Sequence, residues 1–454
     1  MIKIFMVIAA VLRFSAIAMR YDAILVEYSP VIRDDARITM HTNIQNYFSI
    51  AKNYANYDLI VFPEYGITSV RVNKGNHEAY AVEITQNFSR MGDDEDNYIR
   101  RLSEIASSRG FYLVANLLEK DNGKYYNTNV VFDRRGALIY KYRKINLNEE
   151  ERTFLTAGET LGQFHISDFN TKFAMFIGED ILAGFPVLEA INLGITDIIH
   201  TNAMKSSMPF LAPLAIQEGF AHINKLNVLV SSYKEVTTSR GGYGFLLKAD
   251  NNIASRTSLN SLEVTSQLMT PSSNVDESSF EARSKLSAFR SSFDLEKHSE
   301  FYSFKMTVSG RVCSKDNKIC CTFTVHDKNV DDYAIVTYSD GNNYGCALVA
   351  CDKGGQNCGR STTENCADFS SIEITSEIAN SSYIVPIAFD GNLKSFHNYE
   401  FKRESDGLTI LNGKKVKNLS TFGIFGNGAN GISSNRIQLS LSFLLIKIVL
   451  CTWI

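Results

Sequence analysis

All eight cysteines of this 454-residue chain lie in its last third. None precedes Cys313, and seven (Cys313, Cys320, Cys321, Cys346, Cys351, Cys358 and Cys366) crowd into one short region, with Cys451 in a terminal hydrophobic stretch. The chain is long enough for more than one domain and a large buried core. Cysteines clustered this way in an exported chain read as a disulfide framework stapling one domain. The spacings form no paired C-x-x-C set, so a metal site is the weaker reading. Seven is odd, so at least one thiol is free or pairs between chains, and the connectivity stays open.

Ahead of the cluster, short apolar runs alternate with helical stretches. Tyr21–Glu27, Asp58–Phe62, Phe111–Asn116, Phe173–Ile177, Asp197–Thr201 and Asn227–Ser231 read as strands. Asn43–Tyr57, Tyr98–Gly110, Pro186–Gly194 and roughly Leu214–Lys225 read as helices, the third with proline in its first turn. Tyr125–Phe132 and Ala137–Tyr142 flank Asp133-Arg-Arg-Gly136, a hairpin turn. This alternation argues for an α/β class with a mixed sheet. Residues 254–300 shift to a serine-punctuated, polar composition and read as a connector. Beyond them, short strands at Phe301–Val312, Cys321–Val325, Tyr333–Thr337 and Ser371–Thr375 predict a small β-rich domain over 301–420.

The ends predict export. Lys3, the apolar run Ile4–Leu12 and Ala16-Ile17-Ala18 form a signal peptide over 1–18. Small residues from Gly426 to Ser434, then an apolar tail at Ile437–Ile454, make 421–454 a glycolipid-anchor signal. The expected location is the outer face of the plasma membrane, through that lipid anchor, or secretion. Sequons at Asn87, Asn380 and Asn418 predict surface glycosylation. A net charge of -3 gives no electrostatic reason to expect nucleic acid as a partner.

Three segments carry a candidate site: Phe62-Pro-Glu64-Tyr-Gly66, Tyr142-Arg-Lys144-Ile-Asn-Leu147 and Phe176-Ile-Gly178-Glu-Asp180. Together they resemble the carbon–nitrogen hydrolase (nitrilase) superfamily, nearest its vanin and biotinidase branch. Tyr126–Asp133, the pair Cys320-Cys321 and the Cys346–Cys351 run extend the likeness. The resemblance implies a four-layer α-β-β-α nitrilase sandwich over 19–253, followed by the disulfide-stapled domain, with no cofactor and no metal.

Amide cleavage through a covalent intermediate needs a nucleophile, a base and a positive group for the oxyanion. By resemblance Glu64 is the proton acceptor, Lys144 holds the oxyanion, and a second glutamate follows the lysine, with Glu150 favoured among Glu149, Glu150 and Glu151. Read locally, each is equally a solvated surface charge. At the nucleophile position, where the family has cysteine, stands Gly178; Ser206, Ser207 or a water are the candidate substitutes, and a serine would have to reach the same point in space. Glu179 is a further departure: it either repels an anionic intermediate or pairs with Lys144. Thr201-Asn-Ala-Met204 replaces a substrate wall that carries tryptophan in the family.

These features predict a catalytically impaired pseudo-amidase that binds a small pantetheine- or biotinyl-like amide, or a partner chain. The alternatives are an active amidohydrolase on such linear amides, and a regulatory subunit of an active paralogue in a homo- or hetero-dimer.

Overall fold

The computed structural model describes residues 21–427 except 55, 86–96, 207–209, 211, 236–239, 242, 247–252, 257–261, 270–294, 296–298, 328–329, 331, 341–342, 353–357, 360–365, 379–382, 392–394 and 406. Asn87, Asn380, Ser207, Cys451, the expected signal segment and the apolar tail lie outside the described residues.

Two sheets form the first half. One has seven strands, running Leu262–Met269, Tyr21–Tyr28, Leu59–Val61, Tyr112–Asp121, Lys124–Phe132 and Leu138–Arg143, with Ala81–Val82 pairing Tyr112–Asp121. The other has six, ordered Ile253–Arg256, Tyr243–Leu246, Asn227–Ser232, Asp197–Asn202, Thr171–Ile177 and Gly162–Ile166. The sheets pack face to face over Leu25, Val61 and Val114 on one side and Phe173, Met175 and Leu229 on the other. Strands buried on both faces explain the near-continuous apolar runs of the sequence.

Helices cover both outer faces. Ala36–Lys52 and Tyr98–Arg109 bury Met40, Ile44, Leu102 and Ile105 against the first sheet. Asp35 caps the former, its side chain accepting from the Ile38 amide at 2.9 Å. Gly110 ends the latter in a left-handed conformation, φ 71°. Gly184–Asn192 and Pro213–Asn224 pack Val187, Ile216 and Phe220 on the second sheet. The four-layer α-β-β-α order is therefore present.

The C-terminal half is a sandwich of two five-stranded antiparallel sheets closed over Phe323, Leu348, Ile374, Leu411 and Phe422. Bridges join Cys313–Cys320, Cys321–Cys346 and Cys351–Cys358; Cys366 is outside them. Cys321–Cys346 ties one sheet to the other, since its cysteines lie in Cys320–Val325 and Asn343–Ala350. The sheet carrying Val336, Val349, Val385 and Phe425 packs on the helix Pro213–Asn224, in one core with Ile216 and Phe220. Gly219 makes that approach close: a Cβ there would lie 2.2 Å from the Pro386 carbonyl oxygen.

Two boundaries differ from expectation. Residues 254–300 are not wholly a connector: Leu262–Met269 pairs antiparallel with Tyr21–Tyr28 and Ile253–Arg256 edges the second sheet, while Leu295 is buried in the shared core. Backbone pairing, indifferent to serine content, supplies these edges. Likewise 421–427 do not belong to a terminal signal. Leu419–Asn427 is an inner strand between Asn343–Ala350 and Tyr383–Asp390. Asn418 is half-buried in the tight turn before it, at φ 50°.

Candidate functional site

Four strand ends converge. Glu64 follows Leu59–Val61, Lys144 directly follows Leu138–Arg143, Gly178 directly follows Thr171–Ile177, and Ala203 directly follows Asp197–Asn202. The Glu64 turn is shaped by its neighbours. Tyr47 stacks on Phe62 with centroids 3.7 Å apart, and its hydroxyl lies 2.0 Å from where a Cβ on Gly66 would be. Only glycine fits there.

Glu64 and Lys144, far apart in sequence, meet in the interior; each is 1% exposed. Lys144 Nζ donates to Glu64 Oε1 at 2.9 Å and to Glu151 Oε1 at 3.1 Å, and forms an ion pair with Glu151 Oε2 at 2.8 Å. Asn127 Nδ2 donates to Glu64 Oε1 at 2.8 Å and to Glu151 Oε1 at 3.0 Å. The Ala203 amide donates to Glu64 Oε2 at 2.7 Å, and the Tyr65 hydroxyl to Glu151 Oε1 at 2.6 Å.

The glutamate that reaches Lys144 is Glu151, not the expected Glu150. Glu150 is exposed at the mouth, whereas Glu151 begins a short 3-10 turn that turns it inward. The turn is fixed reciprocally, the Glu151 amide donating to Asn148 Oδ1 at 3.0 Å and the Asn148 amide to Glu151 Oε2 at 2.9 Å.

Glu179 resolves the two sequence alternatives in favour of pairing. Its Oε2 sits 2.6 Å from Lys144 Nζ, an ion pair out of line for a hydrogen bond. Three glutamate side chains therefore surround one ammonium.

Burial sets the protonation of Glu64. Desolvation disfavours the carboxylate, Lys144 opposes, and Glu151 and Glu179 add repulsion; together they raise its pKa to about 8. For Lys144 burial works against the charge, but Glu151, Glu179 and Glu64 outweigh it and hold the ammonium well above its usual range. Burial also opposes the charge on Glu151, yet Lys144, Tyr65 and Asn148 keep it below the ordinary carboxylate value.

Gly178 completes the cluster without a side chain. Its φ is +49°, and a Cβ built on it would lie 2.8 Å from Lys144 Nζ and 2.9 Å from Glu64 Oε2. Its carbonyl accepts from His200 Nε2 at 2.9 Å, while Gln217 Nε2 lies 3.2 Å from His200 Nδ1. Burial lowers the His200 pKa to about 4, so a neutral ring with its proton on Nε2 suits both contacts. Asp180, fully buried, accepts from the Ile177, Ile145 and Asn146 amides, from Asn146 Nδ2 and from the Tyr142 hydroxyl. It binds the Lys144 loop to the Gly178 turn. The sequence reading gave Tyr65, Asn127 and His200 no role, although Tyr65 and Asn127 lie inside the quoted Phe62–Gly66 and Tyr126–Asp133 segments; Glu151 was among its three candidates but was not the one favoured.

A small open cleft leads to the cluster, its lining including Val70, Val72 and Phe154 together with Glu150 and Arg240. Among the described residues, none lining it is serine, threonine or cysteine, and Ser206 is not part of it. Among the described residues, no group of three histidines, cysteines or carboxylates is placed to hold a metal, and no helix is long and apolar enough to cross a membrane.

This two-part architecture, a buried cluster at converging strand ends followed by a β sandwich, matches two family profiles in succession. The Carbon-nitrogen hydrolase profile matches residues 33–194, and the Vanin C-terminal domain profile matches 289–431. The chain belongs to the vanin and biotinidase branch of the carbon–nitrogen hydrolase family, with the nitrilase-type fold. Vanin-like protein 3 of Drosophila melanogaster is 33% identical over 234 residues, 46% of this chain and 43% of that protein. Biotinidase of Mus musculus is 29% identical over 237 residues, 47% and 45% of the two chains. Pantetheinase of Homo sapiens is 27% identical over 260 residues, 51% and 50%. The aligned region thus spans half or less of the length of these relatives.

Proposed function

We propose that this chain is a vanin-like pseudo-amidase that binds a small pantetheine- or biotinyl-like amide, or a partner chain, in the secretory pathway or at the cell surface. Glu64 stands as the proton acceptor, Lys144 and Glu151 as its charged partners, and Gly178 at the nucleophile position. One observation carries this reading: the Cβ position of Gly178 falls within 3 Å of both Lys144 Nζ and Glu64 Oε2, where an attacking group belongs, and it is empty of side chain. Losing the nucleophile removes the covalent step and costs several orders of magnitude in rate. The cysteine bridges and the signal-like N-terminus support export.

A second reading, an active amidohydrolase on the same linear amides, is favoured by the retained Glu64–Lys144–Glu151 cluster, which is equipped to activate a water. The assay is amide hydrolysis of pantetheine and a biotinyl amide by the purified natural chain, beside Gly178→Cys. The expected result is no turnover by the natural chain. Turnover that disappears on Lys144→Met establishes the second reading instead.

A further inference from the structure

Glu179 is the residue of this site that amide chemistry does not call for. It touches Lys144 more closely than either other glutamate, at 2.6 Å against 2.8 Å for Glu151 and 2.9 Å for Glu64. It is also the most exposed of the three, its side chain 28% accessible, and it lines the cleft. An ammonium has three N–H groups. Glu64 and Glu151 accept aligned hydrogen bonds from it. Glu179 is out of line for a hydrogen bond, yet it lines the cleft and sets its carboxylate against the same ammonium.

We propose that Glu179 is an internal counter-charge that holds Lys144 in place of the anion that would form during acyl transfer, closing the site electrostatically as well as by loss of the nucleophile. The inference rests on reading the site as a vestigial amidase. Two consequences follow. An anion developing on a bound carbonyl oxygen would meet a carboxylate beside its ammonium, and like charges at this separation repel strongly out of water. A thiol restored at position 178 would gain little acidity from Lys144, whose charge is already met by Glu151 and Glu179. Glu179 is therefore a positioning residue acting through Lys144.

The test compares Gly178→Cys with Gly178→Cys/Glu179→Gln, each checked for folding by circular dichroism because position 178 has positive φ. The rate of iodoacetamide alkylation at the introduced thiol, read by mass spectrometry across pH 5–10, reports the thiolate. Removing the carboxylate is expected to lower the apparent thiol pKa by about one unit and speed alkylation at pH 7 about tenfold, with amide turnover rising in parallel. Alkylation profiles that coincide within twofold overturn the proposal. Turnover by the natural chain instead sinks the pseudo-amidase reading, so the two failures are separable. The natural backbone gives an independent measurement: 15N-lysine NMR of the Lys144 ammonium, whose titration Glu179→Gln is expected to move to lower pH. An unmoved titration overturns the proposal whether or not the cysteine variants fold.

Discussion

Glu64→Gln separates the two forces acting on the buried carboxylate. Desolvation pushes its proton affinity up, while Lys144, Asn127 and the Ala203 amide all donate to it and favour the anion. The net result is a rise from the ordinary 4.5 to about 8. In the folded chain the proton is then held more tightly than in the unfolded chain. Stability from this group is fully present below pH 4.5 and falls as pH climbs toward 8. Each pH unit is about 1.4 kcal/mol, so the full window is on the order of 5 kcal/mol, with no solvent screening to discount because Glu64 is buried. Glutamine keeps the size and cannot ionise. Urea unfolding of both chains at half-unit steps from pH 4.5 to 8 should therefore show the variant gaining on the natural protein as pH rises, by several kcal/mol at the upper end. A stability difference that is flat across the window refutes the reasoning. It would mean that the three donors win, that Glu64 is an anion throughout, and that no proton is stored at the cluster.

Two further perturbations follow from the same geometry. Lys144→Met leaves Glu64, Glu151 and Glu179 facing one another without a counter-ion and should cost roughly 3–5 kcal/mol in urea unfolding at pH 7, less in a Glu179→Gln background; a loss under about 1 kcal/mol contradicts the buried network. Replacing both Cys321 and Cys346 by serine opens a loop of 25 residues between the two C-terminal sheets and should cost about 3 kcal/mol, against about 2 kcal/mol for the seven-residue Cys313–Cys320 loop; equal effects would show that loop length does not govern their contribution.

The strands that position the site were legible because apolar runs are a local pattern. Glu64 and Lys144 were singled out by the resemblance of their motifs, since read locally each is equally a solvated surface charge. Glu151 was missed by one position because Glu149, Glu150 and Glu151 are chemically identical neighbours, and only the turn built with Asn148 decides which points inward. Long-range pairing was invisible for a different reason. Leu262–Met269 joins Tyr21–Tyr28 through backbone groups that any sequence possesses. At Leu419–Asn427 small size misled. Gly426 reads as the start of an anchor signal's small-residue stretch, yet a Cβ there would lie 2.5 Å from the Tyr383 carbonyl oxygen, so smallness there serves close strand packing. Glu179's role could not be chosen from sequence either, because repulsion and pairing differ only in where Lys144 Nζ comes to rest.

The contact at Gly219 bears on what else can dock to this molecule. The helix Pro213–Asn224 already carries a β sheet pressed to its backbone, with Phe220 and Tyr383 ring centroids 6.2 Å apart and Asn224 donating to the Tyr383 hydroxyl at 2.9 Å. That sheet belongs to the same chain, so its local concentration does not fall on dilution; for tethered modules it is commonly millimolar. A second protein seeking this helical face competes against a ligand that can never diffuse away. Binding there would require prying the chain's own halves apart, and a substitution at the seam registers as lost folding stability rather than as weakened affinity.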